Sequence, residues 1–472
     1  MTRKTKIVAT IGPSTEHVDM LVRLIRAGLN VARVNFSHGN HEEHGKKIRA
    51  IKEASNREGK PIAILQDLAG PKIRIGDFET QTVELKKGDL VVLTTKKITC
   101  TPSRLHVNYP KFAAEVSSGQ IVFLDDGKLR LVIKSVKGSE VRCSVSVGGT
   151  IRSRRGVSVP EARFTIKALT EKDKKDALFC TKEGVDFVAL SFVQDANDVN
   201  DLRRLLTRAG SKARIIAKIE TRSAVANIES IIKEADGIMV ARGDLAVEIS
   251  PEEVPIAQKQ IINLCNKAGK PVITATQMLE SMIRSATPTR AEVSDIANAV
   301  LDGTDAIMLS EETALGPYPV EAIEVMNRVA LRVEGDFLHK KLLKGKHRTD
   351  GIHDITDSIT AGAIDAAESM QARFIVALTM SGFSARMLSR HKAPQEIIAM
   401  TPSEGVCRQL ALSFACRPVH ITPPKTFDGV IKMVRSYLLT HKLGKKGEKV
   451  IVASGIPFGH SIETNALLIE EL

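Results

Sequence analysis

Charged residues close several short apolar runs, and their spacing is that of side chains sharing one face. Lys218 and Glu220 end RIIAKIE, and Arg242 and Asp244 end GIMVARGD. Arg33, Asn35 and Ser37 alternate through VARVNFS. In an extended strand alternate residues point the same way, so each set should converge. Asp67, the Thr276–Gln277 pair, and Ser310 with Glu312 end three further runs. Glu220 and Asp244, on neighbouring strands, suit Mg2+ or Mn2+, with water and substrate oxygens completing the shell. No His–His or Cys–Cys spacing competes for a softer metal. Arg33 and Lys218 add two cations, a load that suits a multiply negative substrate such as a phosphorylated carboxylate. Lys218 and Glu220 would also serve as a buried ion pair, but barrels fill more cheaply with Val and Ile. There is no GxxxxGKS loop and no protein-kinase glycine loop. The residues predict a metal-assisted enzyme for an anionic substrate and leave the reaction open.

Such side chains need elements to hold them. Eight apolar runs alternate with helical stretches: KIVATIG, VARVNFS, IAILQDL, DFVALSF, RIIAKIE, GIMVARGD, PVITATQ and AIMLSEE. Runs of this kind are parallel strands covered on both faces, and eight in succession predict a closed (β/α)8 barrel. The barrel is expected over residues 1–71 and 166–338. Between them, residues 72–165 switch to period-two alternation around DDGK and VKGS, which predicts antiparallel hairpins. An insertion there lies over the active face and is placed to act as a lid. Residues 339–472 return to strand–helix alternation in RFIVALTM, EIIAMTP, RPVHITP and KVIVASG, which predicts an open α/β sheet. Leu343–Gly351 reads as the linker.

Composition narrows the class. The 472 residues are 43% hydrophobic and 26% charged, within the range of folded globular chains. No apolar run is long enough to span a bilayer, and the N-terminus lacks a secretory pattern. The six cysteines are scattered, with no CxxC pair, which predicts a cytoplasmic setting. The net charge of +13 permits polyanion binding. With 4% aromatic residues, no Trp and no nucleic-acid-binding motif, a nucleic-acid partner is not expected.

Longer motifs are more specific. KIVATIGPS, NVARVNFSHG, DLAGPKIR, LTEKDKKD, AKIE, VARGDLAVEI, ITATQMLESM and PTRAEVSDIANAVLDGTDAIMLSEETALGPYP follow in order from Lys6 to Pro319. Together they resemble the pyruvate kinase family. That resemblance implies a TIM barrel with an inserted small β-barrel lid and a C-terminal α/β domain for effectors and subunit contacts. It implies phosphoryl transfer from phosphoenolpyruvate to ADP, giving pyruvate and ATP, and a homotetramer. By match, Arg33 binds the substrate phosphate and Lys218 stabilises the transferring group. Glu220 and Asp244 hold the divalent ion. The amides of Gly243 and Asp244 receive the substrate carboxylate, and Thr276 lies near the enolate carbon. Protonation from Thr276 directly, or through water with Ser310 and Glu312, stays open. Asn35, Phe36, Ser37, His38, Arg74 and Arg155 match nucleotide contacts. Other phosphoenolpyruvate- or pyruvate-using barrels would share the carboxylates but not the lid or the full motif order.

The chain departs from this pattern at Asp67–Arg74. Potassium-requiring members read DTKGPEIR, whereas here Lys72 replaces the Glu and Leu68 the Thr. A tethered ammonium can supply the charge of the monovalent ion otherwise held near Asn35, Ser37, Asp67 and Leu68. Activity without potassium is therefore expected. In the C-terminal unit, Thr379, Ser381, Gly382 and Ser384 match a loop that receives an effector phosphate, although Ser381 or Ser384 would also serve as a helix cap.

Overall fold

The computed structural model describes residues 2–336, 354–422, 426–456 and 463–472. The expected linker lies outside these residues, as does the expected domain boundary near residue 338.

Eight parallel strands close into a barrel: Lys6–Thr10, Val31–Asn35, Ala63–Asp67, Phe187–Leu190, Arg214–Ile219, Gly237–Ala241, Val272–Ala275 and Ala306–Leu309. Each corresponds to one of the apolar runs. Nearly every residue in them is buried, because side chains facing out meet the helices and side chains facing in meet each other. The register brings the polar strand ends to one rim: Asn35 pairs with Asp67, and Asp67 with Ala189. The helices start and stop where local chemistry says they should. Asn40, Thr170 and Thr289 each form a capping box with an acidic residue three positions on. Gly59 and Gly184 end two of those helices in the left-handed conformation.

Between the third and fourth strands, the insertion forms a six-stranded curled sheet and a two-stranded one. They share a core that includes Phe112, Leu105 and Leu131. The DDGK turn joins Ile121–Leu124 to Leu129–Lys137, and Gly138–Ser139 turns the next hairpin. One pair departs from the expected hairpins. Leu90–Thr94 and Arg104–His106 run parallel, the chain between them crossing back instead of turning tightly.

The C-terminal sheet has four parallel strands, Phe374–Leu378, Glu396–Thr401, Cys416–His420 and Lys449–Ser454. A fifth strand, Ala466–Glu471, pairs antiparallel on its edge. ALLIEE was not read as a strand, because its carboxylates and half-exposed apolar residues give no buried run. This sheet docks under the barrel: Ala411 and Leu412 complete the packing inside its floor, against residues such as Val8 and Ile216.

Candidate active site

Four of the expected residues form one charged array at the rim. Arg33 donates from Nε to Asp67 Oδ2 at 2.7 Å, and from one terminal nitrogen to Thr10 Oγ1 at 2.8 Å. Lys218 Nζ lies 2.8 Å from Glu220 Oε1 and 3.3 Å from Asp67 Oδ1, and it donates to Ser191 Oγ at 2.8 Å. Asp67 thus sits between the two cations and is fully enclosed. Arg33 and Lys218 each keep 11% of the side chain open, enough to meet a ligand. Burial pulls the Lys218 pKa down, but Asp67 and Glu220 outweigh it and hold the ammonium above its ordinary value. Burial likewise pushes Asp67 up, and Lys218 and Arg33 bring it below the usual carboxylate range. Glu220 goes the other way: burial, with Asp244 nearby, raises it against the pull of Lys218.

Asp244 and Thr276 are set by a different device. The strand ends at Ala241, and helix Arg242–Glu248 begins at once, so Arg242 and Asp244 do not share a strand face. Arg242 turns away and forks onto Asp295, both bonds 2.7 Å. It also donates to the carbonyls of Ala275 (3.2 Å) and Thr276 (2.6 Å). These bonds hold Thr276 at φ +68°, a strained conformation for a β-branched residue. Thr276 Oγ1 accepts from the Gly243 amide at 2.8 Å and donates to Ala275 O at 2.6 Å. Asp244 faces the lid base, where Lys72 Nζ donates to its Oδ1 at 2.8 Å, with Asp126 at 3.7 Å. Burial lowers the Lys72 pKa, and Asp244 more than restores it.

Lys72 therefore neither points to solvent nor joins Asn35, Ser37 and Asp67. Asn35 and Asp67 are already engaged: Asn35 Oδ1 accepts the Ser37 amide at 3.1 Å, and both Asp67 oxygens face cations. Leu68 buries its side chain in the outer core. Of the expected nucleotide set, Phe36 turns its side chain inward. Its ring is buried on His44, 3.8 Å between centroids, its amide donates to Asp67 O, and its carbonyl accepts from Lys172. It pegs the turn that leaves Ser37 and His38 exposed. Arg74 and Arg155 lie at the lid hinge, where Arg74 donates to Arg154 O at 3.0 Å and Arg155 pairs with Asp125 at 3.3 Å. Glu312 spends its carboxylate on the amides of Ser310 (2.6 Å) and Leu279 (3.3 Å), so it fixes the Ser310 loop. Ser310, Thr276, Gly243, Asp244 and Lys72 line a cavity of about 870 Å3 together with the lid's Arg130.

Thr10, Ser191 and Arg242 are the contributors that reading strand ends undervalued. Thr10 and Ser191 follow the same rule of a polar residue ending an apolar run, applied to the first and fourth strands.

In the C-terminal unit, Ser384 is buried with its hydroxyl 2.5 Å from that of Thr464, and the Thr379 amide donates to Met400 O. Gly382 caps helix Phe383–Ser389 at φ +78°, and Ser381 turns its carbonyl to Arg214 and Arg386. The sequence GIPFGHSIETN, Gly455–Asn465, resembles the family loop that closes over effectors, and its residues 457–462 lie outside the described residues.

Two carboxylates close to one rim, each satisfied here by a lysine, suit a small divalent ion whose other ligands come from water and substrate. Family comparison decides the class. A family model described as "Pyruvate kinase, barrel domain" matches residues 2–323, and one described as "Pyruvate kinase, alpha/beta domain" matches residues 357–470. The chain belongs to the pyruvate kinase family. It is 44% identical over 472 residues to the pyruvate kinase of Geobacillus stearothermophilus, covering 99% of this chain and 80% of that one. Pyruvate kinase 2 of Synechocystis is 41% identical, with 99% and 79% covered. A solved pyruvate kinase from Cryptosporidium parvum superposes with a TM-score of 0.94 at 36% identity, covering 99% of this chain and 96% of the other. Pyruvate kinases are phosphotransferases, and that is this chain's enzyme class. Among the described residues no helix is long and apolar enough to cross a membrane.

Proposed function

We propose that the chain transfers the phosphoryl group of phosphoenolpyruvate to ADP, yielding pyruvate and ATP. The observation that carries this reading is the Arg33–Asp67–Lys218–Glu220 array at the strand ends, on the same rim as Thr276 and Asp244. Arg33 grips the substrate phosphate while Asp67 fixes its guanidinium. Lys218, kept charged by two carboxylates, stabilises the transferring group. The P–O bond to the enolate oxygen breaks, and a bond to the terminal ADP oxygen forms. The Asp244 amide orients the substrate carboxylate, joined by the Gly243 amide when the substrate takes the place of Thr276 Oγ1. A proton then reaches the enolate carbon from the Thr276 side. Glu312 acts on this step only by holding the Ser310 loop.

Glu220 and Asp244 would hold Mg2+ or Mn2+, which when bound polarises the phosphoryl oxygens and templates the reactants. Ser37, His38, Arg74 and Arg155, with Asn35 behind them, would receive the ADP phosphates. Potassium is not required in this reading. Lys72 already brings a cation to Asp244, and Asn35 and Asp67, two of the residues expected at the potassium site, are engaged. A phosphorylated effector at Thr379–Ser384, a homotetramer and a cytoplasmic setting belong to the same reading. Of that loop's hydroxyls, Ser384 is already buried.

The test is pyruvate formation from phosphoenolpyruvate and ADP with Mg2+ in potassium-free tetramethylammonium buffer. Turnover is expected there, little changed by KCl and abolished by EDTA. Turnover only with KCl would overturn potassium independence. None in either buffer, with sugar-phosphate and AMP activators tried, would overturn the reaction itself.

A further inference from the structure

Helix Glu171–Glu183 follows the lid's return to the barrel, and its first turn breaks a local rule. Lys172 is its second residue, where the positive end of the helix dipole disfavours a cation. Its partner four residues on is Asp176, and a lysine ahead of its carboxylate is the weaker order for such a pair. Asp176 is nearly closed off as well, with 4% of its side chain open. Surface pairs add little stability, and this one is poorly placed even for that. A local rule broken with no local gain points to work done elsewhere.

That work shows in where the ammonium goes. Lys172 Nζ donates to the Phe36 carbonyl at 2.8 Å, far away in the chain, and to Asp176 Oδ2 at 2.6 Å. Asp176 Oδ1 meets His41 Nε2 at 2.8 Å, and the His41 ring stacks on Phe179, 4.4 Å between centroids. The other parts of Phe36 are held too, its amide by the Asp67 carbonyl and its ring by His44. Ser37 and His38 come next and are exposed, so the backbone of Phe36 decides where they stand. The helix is a firm base for this brace. Asp173, fully buried, accepts from the amide and hydroxyl of Thr170 and from the Gly70 amide at 3.2 Å. Gly70 precedes the lid and Thr170 follows it, so one carboxylate pins the helix to both lid connections.

We propose that Lys172 is a positioning residue for the nucleotide: by holding the Phe36 carbonyl it fixes the turn that presents Ser37 and His38 to the ADP phosphates. This rests on the reading that Ser37 and His38 receive ADP. Lys172 acts through the backbone of the turn and not on the phosphates. Asp176 and His41 keep its ammonium on the carbonyl, although 56% of the lysine side chain is open to solvent.

The test is steady-state kinetics of the full chain with Mg2+, varying ADP and phosphoenolpyruvate in turn. The first variant joins Lys172→Met to Asp176→Asn, which removes both charges and strands no buried carboxylate. Its Michaelis constant for ADP should rise about tenfold, the loss of one charge-assisted bond, while that for phosphoenolpyruvate stays unmoved. The second variant, Lys172→Arg, keeps a charged donor and should recover most of the loss. Melting curves of both should stay near that of the parent. The proposal is overturned if the constant for ADP does not move, if the constants for both substrates rise together, or if Lys172→Arg loses as much as the pair variant. Pyruvate from the parent with no shift in the variants would sink Lys172 alone. No pyruvate from the parent would sink the reaction and this proposal together.

Discussion

Lys218 at the rim and Lys392 at the floor are both lysines beside carboxylates, yet they are built for different work. Lys218 touches Glu220, Asp67 and Ser191 and keeps 11% of its side chain open. Lys392 is closed in at 3% exposure, against Asp305 and the face of Phe414. Burial lowers the Lys392 pKa more than Asp305 restores it, whereas the rim carboxylates raise that of Lys218. The floor is finished: Lys392 and Arg408 each have a fixed partner across the seam between the barrel and the C-terminal domain. The rim is left unfinished, so a substrate can complete it. One barrel thus uses the same chemistry as glue at one end and as a receptor at the other.

Removing the hub of the rim should cost most. Asp67→Ala leaves Arg33 buried without a counter-charge and Lys218 with Glu220 alone, and a loss of roughly 3–5 kcal/mol in stability is expected, with turnover falling alongside. Denaturant unfolding and a pyruvate assay on the same preparation would show whether the rim array is structural as well as functional. At the floor, Lys392→Met strands Asp305, though three other donors still reach that carboxylate. About 3 kcal/mol of stability should go, with the Michaelis constant for phosphoenolpyruvate unmoved.

Lys6 sharpens the contrast through pH. Burial lowers its pKa from 10.5 to about 8, and among the described residues its ammonium donates only to the Cys416 carbonyl, at 2.7 Å. Between these two values the unfolded chain holds more protons than the folded one, so stability should rise as pH climbs through that window. Relative to Lys6→Met, the parent should gain on the order of 2–3 kcal/mol there, and melting curves of both proteins at paired pH values would measure it. A parallel pH profile in the two proteins would show that Lys6 does not carry this effect. The smallest expected effect concerns Lys72. Lys72→Glu puts a carboxylate beside Asp244 and Asp126, and KCl should then activate turnover by about tenfold. An unchanged response to KCl would separate Lys72 from monovalent-ion dependence.

The rim was more legible in the sequence than the floor, for a physical reason. Strand periodicity places Lys218 and Glu220 on one face from six consecutive residues, and their contact follows. The floor is assembled from partners far apart in the chain, such as Lys6 with Cys416 and Asp186 with Arg408, and no local pattern announces them. Even at the rim, alternation failed where the strand stopped. Arg242 reads as a companion of Asp244 only if the strand continues, but the helix starts there and turns it to Asp295. Motif position likewise does not report which way a side chain faces, and the Phe36 ring turns inward onto His44. The parallel pair in the lid was missed because alternation gives a strand's faces but not its direction.

The most direct test sets the parent, Lys218→Gln and Lys392→Met side by side in one pyruvate assay at saturating substrates, below the melting temperature of each. The account predicts that Lys392→Met turns over like the parent, and that Lys218→Gln is slower by on the order of 10³. Equal losses in the two variants, or an active Lys218→Gln, would contradict the division of work between rim and floor.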